Sequence, residues 1–168
     1  MNKNHDENCV QYWLFSPGEN AHRWDEQYNK GIMAMDKRVT DLRTFKNEKQ
    51  IEEAFLRSSG NKHSKVAHFL WDFLNTVKIG DVVFARKGVN KIIGKGIVTS
   101  DYIYDRREDY RHIRKVKWIE IGSWDFGDEK TKLPQNTLTN ITDNNPERLE
   151  TIKGFFKKDS SKKEYSED

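Results

Sequence analysis

The stretch Gly88-Val89-Asn90-Lys91-Ile92-Ile93-Gly94-Lys95-Gly96, GVNKIIGKG, decides how the rest of the chain is read. Its glycines and lysines have the look of a phosphate-binding loop, which requires Gly, four residues, then Gly-Lys and a Ser or Thr for the metal. Here five residues separate Gly88 from Gly94, and Gly96 stands where the hydroxyl belongs. A phosphate loop also opens a helix, whereas Ile92, Ile93, Ile97 and Val98 are β-branched and read as strand. The stretch is therefore the turn and return of a hairpin: a strand over Asp81–Arg86, a Lys87-Gly88-Val89-Asn90 turn, and a strand over Lys91–Thr99.

Outward from the hairpin, Ser64 is placed to cap a helix whose apolar residues Val66, Phe69, Leu70, Phe73, Leu74 and Val77 share one face. A second helix is expected over Asn47–Arg57 and a closing one around Leu149, Ile152, Phe155 and Phe156. Strands are expected over Val10–Phe15, which Ser16-Pro17-Gly18 ends, and over Gly31–Met35, Ile113–Ile121 and Thr137–Thr142. Strands with glycine-rich turns and few helices predict an α+β fold: a small, closed, mixed β-barrel with helices packed on the outside. Residues 1–9 read as a polar arm, 10–156 as the folded domain, and 157–168 as a charged disordered tail or linker.

The chain has 168 residues, of which 35% are hydrophobic and 34% charged, with five tryptophans. That aromatic content argues against disorder. One cysteine, Cys9, excludes an internal disulfide, and the scattered histidines have no zinc spacing, so no metal and no cofactor are expected. No apolar run approaches a membrane span, and the polar start MNKNHDENC gives no signal peptide, so a cytoplasmic location is expected. No nucleophile–base pair or nuclease-type carboxylate spacing stands out, and the chain reads as a recognition domain, not an enzyme.

Charge is uneven. Arg86 to Lys117 holds ten basic residues against four acidic ones, in a chain whose net charge is only +3. Such a stripe suits a polyanion, with a solvated sheet face as the plain alternative. Arg86, Lys87, Lys91, Arg106, Arg107 and Arg111 are the phosphate-binding candidates as a group.

Three stretches carry a resemblance: Tyr12-Trp13-Leu14-Phe15, then Lys78-Ile79-Gly80-Asp81-Val82-Val83-Phe84, then Gly94-Lys95-Gly96-Ile97-Val98. Their order resembles EVE, YTH and PUA-like barrels. Ser16-Pro17-Gly18-Glu19-Asn20-Ala21, Trp24-Asp25-Glu26, Gly31-Ile32-Met33-Ala34 and Ile97-Val98-Thr99-Ser100-Asp101-Tyr102 look like the N-terminal domain of McrB-type restriction proteins. The resemblance spans Tyr12 to Phe156. It implies a reader of double-stranded DNA that takes a modified base, with methylation the expected modification, out of the helix into an aromatic-walled pocket. An AAA+ GTPase motor and a nuclease subunit are the partners it implies. Those relatives carry Gly-Trp after the Gly-Ile-Met-Ala strand; here Asp36-Lys37 follows Met35, which alters the cage or its ligand.

On this reading Ser16, Asn20, Trp24 and Trp118 are the base-pocket candidates. Ser16 and Asn20 offer donors and acceptors to a base edge, or cap a turn. Trp24 lies in a polar segment with no apolar stripe to bury it, so it is pocket wall or local core. Trp118 alternates with lysines on a strand and is core or wall, whereas Trp13 and Trp71 read as core. Two other readings stay open: an RNA-binding reader of the same pocket type, and a protein-interaction module whose basic face is incidental.

Overall fold

A computed structural model describes residues 9–126 and 132–156, together with the backbone of the last helix to Glu167. Among the described residues seven strands form: β1 (Tyr12–Phe15), β2 (Ile32–Met35), β3 (Val82–Lys87), β4 (Lys91–Val98), β5 (Ile103–Tyr104), β6 (His112–Asp125) and β7 (Leu138–Asn140). Four α-helices accompany them: α1 (Trp24–Lys30), α2 (Glu48–Ser59), α3 (Ser64–Asn75) and α4 (Pro146–Glu167). The expected arm falls almost wholly outside the described residues, as do the side chains of the expected tail from Lys157.

The sheet runs β2-β6-β4-β3-β1-β7, with β5 also paired to β6. The β1–β3 pair is parallel and the others are antiparallel. It curls into a half-barrel. Among the described residues β2 and β7 end this path without pairing to each other, so the closure expected from the sequence is not seen in the hydrogen bonding. The hairpin forms as expected, and Gly88, at φ +63°, provides the left-handed step its turn needs.

Alternation along the strands divides the core between the two faces. Trp13 and Phe15 join Met33, Met35, Val83 and the apolar faces of α2 and α3 in one cluster. Leu14, Phe84 and Ile92 turn the other way, onto Leu149, Ile152 and Phe156 of α4. Helix α2 starts where expected because the Asn47 side chain accepts the Gln50 amide at 3.0 Å. Helix α3 does not use Ser64 as its cap. His63 precedes it in a left-handed conformation, and the Ser64 hydroxyl donates instead to Glu52 Oε2 at 2.8 Å.

Two buried polar groups hold the helices and the parallel strands to this sheet. Arg114 of β6 donates to the last carbonyls of α3, Phe73 at 2.8 Å and Leu74 at 3.0 Å, where the helix dipole favours a cation. Asp81 accepts from the Trp13 indole at 2.9 Å, the Lys78 amide at 2.9 Å and the Gln11 amide at 3.2 Å. This carboxylate joins the start of β1 to the start of β3 across 70 residues of chain. Asp81→Ala strands three donors at once and should lower the unfolding free energy by about 3 kcal/mol in urea titrations, with Asp81→Asn between it and the parent.

His112 is fully buried and stacked near Tyr102 and Tyr104. The Tyr102 hydroxyl accepts the Leu42 amide at 3.0 Å and shares a hydrogen bond with His112 Nδ1 at 2.7 Å. The buried imidazole is neutral at neutral pH. Burial holds its pKa down at about 4. An unfolded histidine titrates near 6.5, so below that pH the unfolded chain binds the additional proton and stability falls with pH. Exposed His68 has the opposite sense: Glu48 raises its pKa, so its contribution is lost as pH rises. Unfolding free energy should thus fall by about 1 kcal/mol per unit between pH 6 and 5, and His112→Gln should flatten that slope.

Candidate functional site

The parallel register sets Phe15 opposite Ala85 and so brings the residue after each, Ser16 and Arg86, to the same end of the sheet. β2 arrives at that end with Ala34 and Met35, followed by Asp36, Lys37 and Arg38. Together with Asn20, Gly88, Tyr110 and Thr137 these residues surround a cavity of about 570 Å³.

Its lip is built from unusual backbone. Gly18 sits at φ +78°, and a Cβ there would lie 2.6 Å from the His22 ring, so only glycine lets the chain fold back this tightly. Asn20, Ala21 and Asp36 all have positive φ, at 53°, 59° and 53°. Alanine in that region is strained, and such strain gathers at sites where geometry serves a ligand. The Asp36 carboxylate accepts from the Arg38 amide at 2.7 Å and from its guanidinium at 2.7 and 3.2 Å, which locks the strand end and neutralises the charge. The Ser16 hydroxyl donates to the Gly18 carbonyl at 2.7 Å.

Tyr110 forms an aromatic wall and is itself held by Arg23, whose guanidinium lies 4.7 Å from the ring centre. Arg23 is fixed in turn by Glu26 and Asp109, and these carboxylates raise its pKa. Lys37 and Arg38 are exposed at the rim.

Of the base-pocket candidates, Ser16 and Asn20 line this cavity, whereas Trp24 and Trp118 do not. The two indoles meet edge to face at 4.8 Å beside Ile93, Ala85 and Ala21. Trp24 lies over Gly94, where a Cβ would be 2.7 Å from its ring, and Trp118 lies over Gly96 at 2.8 Å. Trp118 also donates to the Ile32 carbonyl at 3.3 Å. Two of the three glycines of the GVNKIIGKG stretch, Gly94 and Gly96, thus make room for tryptophans. Trp24 still borders a smaller neighbouring cleft with Lys87, Lys91 and Ser123, and Asn20 lines both.

The six phosphate candidates separate likewise. Arg86 is buried inside the cavity, away from any rim. Lys87 and Lys91 are exposed at the smaller cleft. Arg106 is exposed, Arg107 is forked onto Asp105 at 3.0 Å from both nitrogens, and Arg111 is half-buried with its Nε unpaired. Asp36 and Tyr110 complete the cavity without having been singled out as site residues. Tyr110 had a sequence signal, an aromatic set among arginines in Arg106-Arg107-Glu108-Asp109-Tyr110-Arg111.

Among the described residues no cluster of three or more His, Cys, Asp or Glu side chains could hold a metal, and no helix is long and apolar enough to cross a membrane. Residues 13–142 match the family model described as a domain of unknown function (DUF8426). No curated protein matches the sequence.

The seating of Trp24 is open to a direct check. Gly94→Ala should displace the indole, change the near-ultraviolet circular dichroism and lower stability by about 1–3 kcal/mol, as overpacking does.

Proposed function

The chain belongs to the DUF8426 family, and we propose that it is a nucleic-acid reader that takes a modified base of duplex DNA into the cavity between the ends of β1, β2 and β3. What carries the reading is that cavity: about 570 Å³, walled by Tyr110, lined by hydrogen-bonding side chains and bordered by exposed lysines. Its volume falls within the roughly 300–1,000 Å³ typical of small-ligand sites. The curled sheet with helices on both faces also suits the EVE, YTH and PUA-like barrel class that the sequence resembles.

Under this reading the roles differ from those expected of the tryptophans. Extruding a base costs a few kcal/mol, least for a damaged or mismatched one. Stacking on Tyr110 returns about 1–3 kcal/mol, and Asn20 and Ser16 meet the base edge. A methyl group adds only about 0.8 kcal/mol by burial, so discrimination needs a close apolar wall, for which Met35 and Ala34 are placed. Lys37, Lys87, Lys91 and Arg106 hold the flanking phosphates and make affinity salt-dependent. The domain is assigned recognition alone; a motor and a nuclease would be its partners in a restriction system.

Fluorescence anisotropy on methylated duplex, unmodified duplex and RNA of one sequence, at several salt concentrations, tests this. Tyr110→Ala should lose about tenfold of the preference for the modified duplex and keep the salt-driven background. Lys87→Gln with Lys91→Gln should make log K against log salt shallower by roughly 0.9 per contact and leave the preference intact. Tightest binding to RNA would reassign the polymer. Weak binding with no salt dependence would mean the basic face is incidental and the reading is wrong.

A further inference from the structure

Among the described residues, one buried charge at the cavity forms no ion pair. Arg86 is only 5% exposed and lines the cavity. It sits where the β3–β4 register shifts, between Ala85 and Arg86, an irregularity that re-aims a side chain. Its Nη1 donates to the Gly88 carbonyl at 2.6 Å and its Nη2 to the Asn136 carbonyl at 3.0 Å. Its Nε is buried with no partner. Among the described residues no carboxylate forms an ion pair with it, and burial lowers its pKa. A guanidinium does not lose its proton in a protein, so the charge remains, and a buried charge without a counter-charge is costly.

Among the described residues no other cavity side chain, the Ser16 hydroxyl and the Asp36 and Glu19 carboxylates included, is hydrogen-bonded to Arg86. Each Nη keeps one further N–H beyond its carbonyl bond, so what remains on this planar fork is donor capacity. A planar ligand edge with two adjacent acceptors, one of them an oxygen, matches such a fork.

We propose that Arg86 reads the occupant of the cavity through an exocyclic oxygen beside a ring-nitrogen acceptor. Guanine offers that pattern at O6 and N7, and cytosine at O2 and N3. Adenine has no carbonyl oxygen and turns an amino donor toward the fork, so adenine and N6-methyladenine are rejected. The modified base is of the cytosine or guanine type, altered away from the edge that Arg86 holds. This inference rests on the reading of the cavity as a base site.

The test uses short duplexes carrying one base opposite an abasic position, which makes extrusion cheap for every base. The panel holds guanine, cytosine, adenine, N6-methyladenine and 2-aminopurine, the last being guanine without O6. The full chain should bind the cytosine or the guanine duplex about tenfold or more tightly than the two adenine duplexes. If guanine is the occupant, 2-aminopurine should behave like adenine; if cytosine is, guanine and 2-aminopurine should bind alike. Arg86→Lys keeps the charge and loses the fork, so the preference should shrink to about twofold while salt-dependent background binding remains. The base panel on the parent protein stands without that variant, should the variant fail to fold. Equal binding of all five duplexes, with Tyr110→Ala still weakening them, would leave the base site standing and overturn the role of Arg86. So would a folded Arg86→Lys with its preference intact. Binding of no duplex above one lacking the test base, with no effect of Tyr110→Ala, would remove both.

Discussion

The three hydrogen bonds accepted by Asp81 are the constraint on which the rest of this molecule depends. β1 and β3 are the parallel pair in the sheet, and a parallel pair needs a long crossover, here containing α1, β2, α2 and α3. Closing so long a loop is entropically unfavourable, and the order it demands is met by a buried carboxylate that grips both strand starts. With those starts aligned, each residue along β1 faces a set residue of β3, ending at Phe15 and Ala85. A slip of one residue would turn Trp13 and Phe15 out of the α2–α3 core and separate Ser16 from Arg86. Core packing and the candidate site therefore share one determinant.

The site itself illustrates a division between what is neutralised and what is left open. Asp36 and Arg38 satisfy each other, as do Arg23 and Asp109, and Arg107 and Asp105. The first pair borders the cavity, and the second fixes the Arg23 that lies over Tyr110. Arg86 stands apart because its partners are main-chain carbonyls, which satisfy geometry but not charge. The strained backbone at Asn20 and Asp36 lies around the same opening. Packing strain, an uncompensated cation and a cavity coincide there, and nowhere else among the described residues do all three meet.

Much of the architecture was legible in the sequence because it follows from short-range rules. Strand alternation at Tyr12–Phe15, the apolar stripe of α3 and the glycine turn at Gly88 each depend on residues within a few positions of one another. The Ser64 cap failed because a left-handed His63 brings the chain in from an angle that points the hydroxyl at Glu52 of the preceding helix. Closure of the barrel was likewise an expectation about how far a sheet curls, which depends on packing against α2, α3 and α4 and not on any strand's own sequence.

Residue types at the site were readable, but their placement was not. The sequence by itself determined that GVNKIIGKG is a hairpin and not a phosphate loop, that Ser16-Pro17-Gly18 ends the first strand, and that basic residues crowd the segment from Arg86 to Lys117. Only the tertiary structure decided that Trp24 folds down onto Gly94, since the space beneath it comes from a strand some 70 residues later in the chain. Only there did Arg86 pass from surface stripe to cavity interior, carried inward by the register shift beside it. A local pattern records which face a side chain leaves by. What that face meets is set by strand order and register, and those are properties of the whole chain.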